Sequence, residues 1–149
     1  MADAKQTGSR GAEGGGVRCV IVTPEVTSLD TRARFVTLPL FDGQRGVGRG
    51  HAPFIGRLGA GAVRLVGEQG RDDVVRQVFV EGGFVEVGQD AVTVITQRAL
   101  PAEKIDLAQA RAELEKIRGA AATGSDAIDA KLAAEEAARA LVRTAERAR

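Results

Sequence analysis

The chain has no tryptophan or tyrosine, a single cysteine (Cys19), a single histidine (His51) and only 3% aromatic residues. Each scarcity removes a class of chemistry. One cysteine excludes an intrachain disulfide and a cysteine metal cluster. One histidine excludes a His-rich metal site. No serine or cysteine motif lies near His51 for it to activate as a base. The core has to be built mostly from Val, Leu, Ile and Ala. Charge of one sign is also missing, because 21 basic against 20 acidic side chains leave a net charge of +1. That balance supplies no field for nucleic acid or an anionic membrane. The apolar runs are too short to span a bilayer, and residues 1–16 have no apolar stretch of the kind a secretory signal needs. The expectation is a soluble, intracellular chain that can still be a peripheral part of a membrane machine.

What is present divides the chain into three. Residues 1–16 are small, polar and glycine-rich, too poor in apolar surface to offset their ordering entropy, and are expected to be a disordered tail. Residues 17–100 read as short strands separated by turn residues, an all-β sandwich or barrel. The strand candidates are Val17–Pro24, Val26–Leu29, Arg32–Leu38, Ala62–Gly67, Asp73–Glu81, Phe84–Val87 and Ala91–Thr96. Arg32, Arg34 and Val36 are placed on one face, and Ala33, Phe35 and Thr37 on the other. Val75, Gln77 and Phe79 share one face, opposite Val74, Val78 and Val80. Gly82-Gly83 is the expected hairpin turn between two strands, and Gly88-Gln89-Asp90 a second turn. Cys19, mid-strand among Val and Ile, reads as a small buried hydrophobe.

At Leu100-Pro101 the composition changes. Seventeen of the nineteen glycines and all five phenylalanines precede Pro101, and sixteen alanines follow it. Residues 101–149 are expected to form an antiparallel helical hairpin. Its first helix has Pro101 in its first turn and ends before Gly119, and the second runs from Asp126 toward Arg149. The second helix's apolar side carries Ile128, Leu132, Leu141, Val142 and Ala145. Alanine-rich faces bury little area each, so the hairpin is marginal alone and should lean on the β domain or on a partner. Arg139, Arg143 and Arg147 form one basic stripe, with Glu135–Arg139 as an i,i+4 pair.

The densest glycine stretch is Leu38–Gly61, which also holds His51. Gly43–Gly50 lacks the Gly-Lys-Ser/Thr ending of a phosphate loop and the spacing of a dinucleotide fingerprint. Ala52-Pro53-Phe54 follows instead of a helix start. The stretch therefore reads as an exposed docking turn, with His51 bonded to loop backbone. The carboxylates Asp72, Asp73 and Glu81 fall at expected turns. An all-β enzyme has only His51 and nearby carboxylates behind it.

Three segments together carry a family resemblance: Gly43–Pro53 (GQRGVGRGHAP), Leu58–Arg64, and Glu81–Val87 through Val92–Val94. With the β-then-hairpin order, the chain resembles the epsilon subunit of the rotary proton-translocating ATP synthase from Val17 to Arg149. The resemblance implies a mainly β plus α protein, with a ten-stranded β-sandwich followed by the helical hairpin. It implies no catalysis by this chain, no metal and no required cofactor. It implies a central-stalk rotor subunit that binds the gamma subunit and the c-subunit ring and reaches the alpha/beta catalytic head when the hairpin extends. In bacterial members that extension restrains ATP hydrolysis. The implied location is the cytoplasmic face of the bacterial inner membrane, through the complex alone. The docking residues it assigns to the c ring are Gln44, Arg45, Arg49 and His51. Here Gln44 replaces an acid, Arg45 a leucine, and Gly48-Arg49 a Leu-Pro pair.

Some bacterial members bind ATP on the folded hairpin through an Ile/Leu-Asp-x-x-Arg-Ala motif. This chain has Ile105, Asp106 and Ala110, with Gln109 in place of the arginine. Lys116, Arg139 and Arg143 fall at the later basic positions. A missing phosphate-facing guanidinium removes a contact worth about 1.5–3 kcal/mol, so the implied ATP binding is weak.

Overall fold

A computed structural model describes residues 15–68 and 71–148, with the side chains of 72–74 excepted. The expected tail, apart from Gly15 and Gly16, lies outside the described residues. Gly16 does not belong to a tail: it is buried, and a Cβ there would stand 2.6 Å from the Ala33 carbonyl.

Eight strands form the β part: β1 (Val17–Val22), β2 (Thr27–Ala33), β3 (Phe35–Leu40), β4 (Gly43–Gly48), β5 (Phe54–Glu68), β6 (Arg71–Gly88), β7 (Ala91–Ile95) and β8 (Ala99–Pro101). They join in the order β2-β1-β7-β6-β5-β3-β4, with β8 beside β6. All neighbours are antiparallel except β1 and β7. The expected count of ten is corrected to eight among the described residues. The reason is that β5 (15 residues) and β6 (18 residues) do not stop where turns were expected. They bend, and each serves both layers of the sandwich. One layer holds β2, β1, β7, the second half of β6 and the first half of β5. The other holds β8, the first half of β6, the second half of β5, β3 and β4.

Gly82-Gly83 is where the hairpin expectation fails. The two glycines have φ of +70° and +105°, yet β5 pairs across them, from Leu58 opposite Gly83 to Ala60 opposite Glu81. The ladder keeps its register through them, so they form a bend within a continuous strand, not a reversal. Which side chains point inward changes across the bend: Val78 and Val80 before it, Val85 and Val87 after it. Leu58 and then Val63 and Leu65 show the same reversal on β5.

The core of the sandwich lies between the layers. Cys19, Ile21, Val85, Val92 and Val94 on one side face Val36, Leu38, Val63, Leu65 and Val80 on the other. Cys19 is the buried hydrophobe expected, and burial pushes its thiol up to about 12. A polar tie closes the layers at one end. The Thr31 hydroxyl donates to Oε1 of buried Glu68 at 2.8 Å, and Arg76 Nε stands 2.9 Å from Oε2.

The Arg32–Leu38 segment is not one strand. It breaks at Arg34, which shifts the phase, so Ala33, Val36 and Leu38 are buried and Phe35 is exposed. The Phe35 ring lies over Gly46, where any Cβ would collide with it, and beside Gly48. The expected turn Gly43–Gly50 is therefore mostly the edge strand β4, with glycine where an aromatic ring replaces a side chain. Only Arg49 and Gly50 (φ +79°) form a turn.

Beyond β8, a single 3-10 turn (Ala102–Lys104) precedes α1 (Leu107–Gly119) and α2 (Ser125–Arg147). The first helix thus starts later than Pro101 suggests. Asp106 is its N-cap, accepting from the Gln109 backbone N–H at 3.1 Å. The helices pack through Leu107, Ala110, Leu114, Ala138, Val142 and Ala145. Ile128 and Leu132 do not join them and are exposed. The hairpin meets β5 and β6 mainly through α2. Ala140 and Thr144 are buried outside the hairpin's own cluster, so they face the sheet. Phe79 is buried beneath the hairpin, which explains why both faces of Val78–Val80 are covered.

Gly83→Ala tests the bend. A Cβ at Gly83 would collide with the Ile95 carbonyl, at a φ that L residues rarely adopt. The expected loss is about 3 kcal/mol of stability in chemical denaturation. A loss under about 0.5 kcal/mol would show that the bend tolerates a side chain.

Candidate functional site

Two regions of the described residues gather functional side chains. The first surrounds Phe54 at the start of β5. The Arg45 guanidinium lies 4.8 Å from the ring centroid, in cation–π range, and the His51 ring is 5.4 Å away, tilted. His51 Nδ1 is 2.7 Å from the Ala52 carbonyl oxygen, and its backbone N–H donates to the Gly48 carbonyl at 3.3 Å. The histidine is therefore tied to loop backbone, with no catalytic partner beside it among the described residues. Gly50 N–H donates to Asp90 Oδ1 at 3.1 Å, which anchors the turn to the β6–β7 connection. The Arg49 side chain passes beside Gly15. Gln44, Arg45 and Arg49 are exposed. The structure thus brings Arg45 and His51 together on one ring and places Arg49 at the following turn.

The second region is a cleft of about 640 Å³ between the hairpin and the sheet. Phe79, Leu100, Ile105 and Leu141 give it an apolar floor. Asp106, Gln109 and Lys116 line it. Arg139 and Arg143 do not. Arg139 donates to Glu135 at 2.7 Å, the i,i+4 pair expected, and both arginines are exposed elsewhere on α2. Sequence reasoning missed Arg98 and Lys104, which supply the cleft's other cations, and Glu81 and Glu113, its other acids. Glu81 is not at a turn: it lies in β6 opposite Ala60, 3.8 Å from Arg98. Asp72 and Asp73 also fall within β6, not at a turn.

A third feature had no counterpart in the sequence reading. Among the described residues no helix packs on the outer face of the β2-β1-β7-β6-β5 layer, which exposes Ile55, Phe84 and Ile95. The signal was available in Phe84–Val87, where Phe84 and Glu86 alternate with core residues Val85 and Val87. Among the described residues, no cluster of His, Cys, Asp or Glu is placed to hold a metal ion. No described helix is long and apolar enough to cross a membrane.

Residues 16–102 match the family described as ATP synthase, Delta/Epsilon chain, beta-sandwich domain. An ATP synthase epsilon chain of Rhodopirellula baltica is 52% identical over 90 residues, covering 60% of this chain and 67% of that one. One from Synechococcus is 37% identical over 129 residues, covering 85% and 90%. The fold is shared with a chain of the Euglena gracilis mitochondrial ATP synthase OSCP/F1/c-ring assembly. That match has a TM-score of 0.73 and 19% identity, covering 95% of this chain and 88% of that one. It is shared as well with a chain of the Tetrahymena thermophila mitochondrial ATP synthase central stalk/c-ring. Here the TM-score is 0.62 and the identity 12%, with coverage of 87% and 96%. The matched stretch spans the whole β-sandwich, and the chain belongs to the epsilon-chain family of ATP synthase subunits.

Proposed function

We propose that this non-catalytic subunit is the foot of the central stalk, joining the gamma subunit to the c-subunit ring and passing proton-driven rotation toward the catalytic head. The observation that carries the reading is the contrast between the sandwich's two outer faces. One lies under the hairpin. The other leaves Ile55, Phe84 and Ile95 at 78%, 59% and 56% exposure on adjacent strands. Scattered apolar residues are ordinary on a surface, but a contiguous group marks a contact. This face is assigned to gamma.

The c ring is assigned to Gln44, Arg45, Arg49 and His51. A coupling surface has to resist deformation, and the Phe54 cluster with the Gly50–Asp90 bond stiffens this one. Arg45 on β4 also keeps the open sheet edge from pairing with stray strands. The chain resides at the cytoplasmic face of the bacterial inner membrane, held there by the complex.

The hairpin is assigned a regulatory role, extending toward the alpha/beta head to restrain ATP hydrolysis. Its seam with the sheet rests on small side chains, Ala140 and Thr144, which bury little area. Ile128 and Leu132, exposed in the folded-down form, are available to a partner in the extended one.

The cleft favours a second role for the same hairpin, as a weak adenine-nucleotide site. Its volume suits a small ligand, and Arg98, Lys104 and Lys116 provide cations for phosphate.

Phe84→Asp should abolish co-purification of the chain with gamma while leaving its melting temperature within a few degrees. Retained co-purification would remove gamma from this face. A chain ending at Asp106 should assemble normally and raise ATP hydrolysis by the complex, whereas equal hydrolysis would end the inhibitory role. Calorimetry should give millimolar ATP affinity that Lys116→Ala removes, and no heat at millimolar nucleotide would discard the second role.

A further inference from the structure

Resting on the assignment of the uncovered sandwich face to gamma, we infer that Arg57 and Glu86 select the partner surface that this face accepts. That surface places a carboxylate over Arg57 and a cation over Glu86, inside an otherwise apolar contact.

The register of the strands sets out the face. Arg57 on β5 lies opposite Phe84 on β6, Phe84 opposite Ile95 on β7, and Ile95 opposite Val22 on β1. The next row runs Ile55, Glu86, Thr93 and Val20. Residues directly opposite one another share a face, so both charges stand among the exposed apolar side chains. Arg57 and Glu86 are diagonal neighbours, and long side chains reach across that spacing. Both are exposed, and neither makes an ion pair or hydrogen bond among the described residues.

A neighbouring pair on the same face behaves differently. Arg18 donates to both carboxylate oxygens of Asp30, at 2.9 and 2.7 Å, and the guanidinium holds that carboxyl below its usual range. Arg18 and Asp30 satisfy each other and ask nothing of a partner. Arg57 and Glu86 do not.

A partner that covers Phe84 and Ile95 takes water away from both charges. A desolvated charge without a partner is strongly unfavourable, so the covering surface has to supply the opposite charges. A purely apolar surface, or one carrying like charges at these positions, is rejected. The two charges thus convert a sticky apolar face into a selective one.

The test measures binding of the full-length chain to the purified gamma subunit of the same complex. Arg57→Glu and Glu86→Lys should each raise Kd by on the order of thirtyfold or more. The double variant R57E/E86K should bind more weakly than either, because both contacts are then repulsive. Arg57→Gln should weaken binding less than Arg57→Glu. Glu103→Lys, on the 3-10 turn, should leave Kd within twofold. Melting curves of every variant should overlay. If Phe84→Asp abolishes binding while R57E and E86K stay within twofold of the unmodified chain, the selective role is overturned and the gamma assignment stands. A double variant that binds like the unmodified chain also overturns it, since the two side chains would then be pairing with each other on docking. An unmodified chain that does not bind gamma overturns both.

Discussion

The structure depends on one constraint in β5 and β6. These two strands must change which of their sides faces the core, at the same level, without ceasing to pair. Gly83 makes this feasible, because its φ of +105° and its contact with the Ile95 carbonyl leave no room for a side chain. From that bend follow two layers from one continuous sheet, one closed core and two outer faces of different character. On the hairpin side the faces of β5 and β6 carry Ala60, Ala62 and Phe79. On the other side they carry Ile55, Arg57, Phe84 and Glu86.

The two faces are matched to different kinds of contact. The hairpin lies on its face through alanine, threonine and one buried phenylalanine, with an open cleft beside the seam. Such a contact buries little area per residue, which suits an element that lets go. The opposite face carries larger apolar side chains and two unmatched charges, which suits a partner that stays. The role proposed for the chain calls for both properties: a permanent grip on the stalk and a detachable arm. The edge strand β4 and the turn after it form a third, stiffer surface, fixed by the Phe54 ring and by Asp90.

The coarse architecture was legible in the sequence, and its finer geometry was not. Val17–Val22, the Gly88–Asp90 turn, the alanine-rich hairpin and the backbone-tied His51 follow from local pattern alone. Gly82-Gly83 misled because two glycines with positive φ serve a hairpin turn and a bend within a strand equally well, and only the neighbouring strand distinguishes them. Arg34 misled because a one-residue break shifts the alternation that follows it. Gly46 and Gly48 looked like turn residues because their reason, the Phe35 ring, lies eleven residues and more away. In the cleft, Asp106 and Lys116 are residues the family motif singles out, and they line it. Arg98 and Lys104 were not, since nothing local marks a side chain that a helix will later face. Arg139 and Arg143 share helical spacing with a binding stripe, but α2 turns them outward, away from the cleft.

On the assignment to gamma, the uncovered face of the sandwich is buried when the subunit joins its complex. Hydroxyl-radical labelling of Ile55, Phe84 and Ile95, compared between the free chain and the assembled ATP synthase, measures it directly. Labelling of all three should fall at least tenfold on assembly, while labelling of Val26 at the sheet margin should change little. Equal labelling of Phe84 in the free and assembled forms would contradict it.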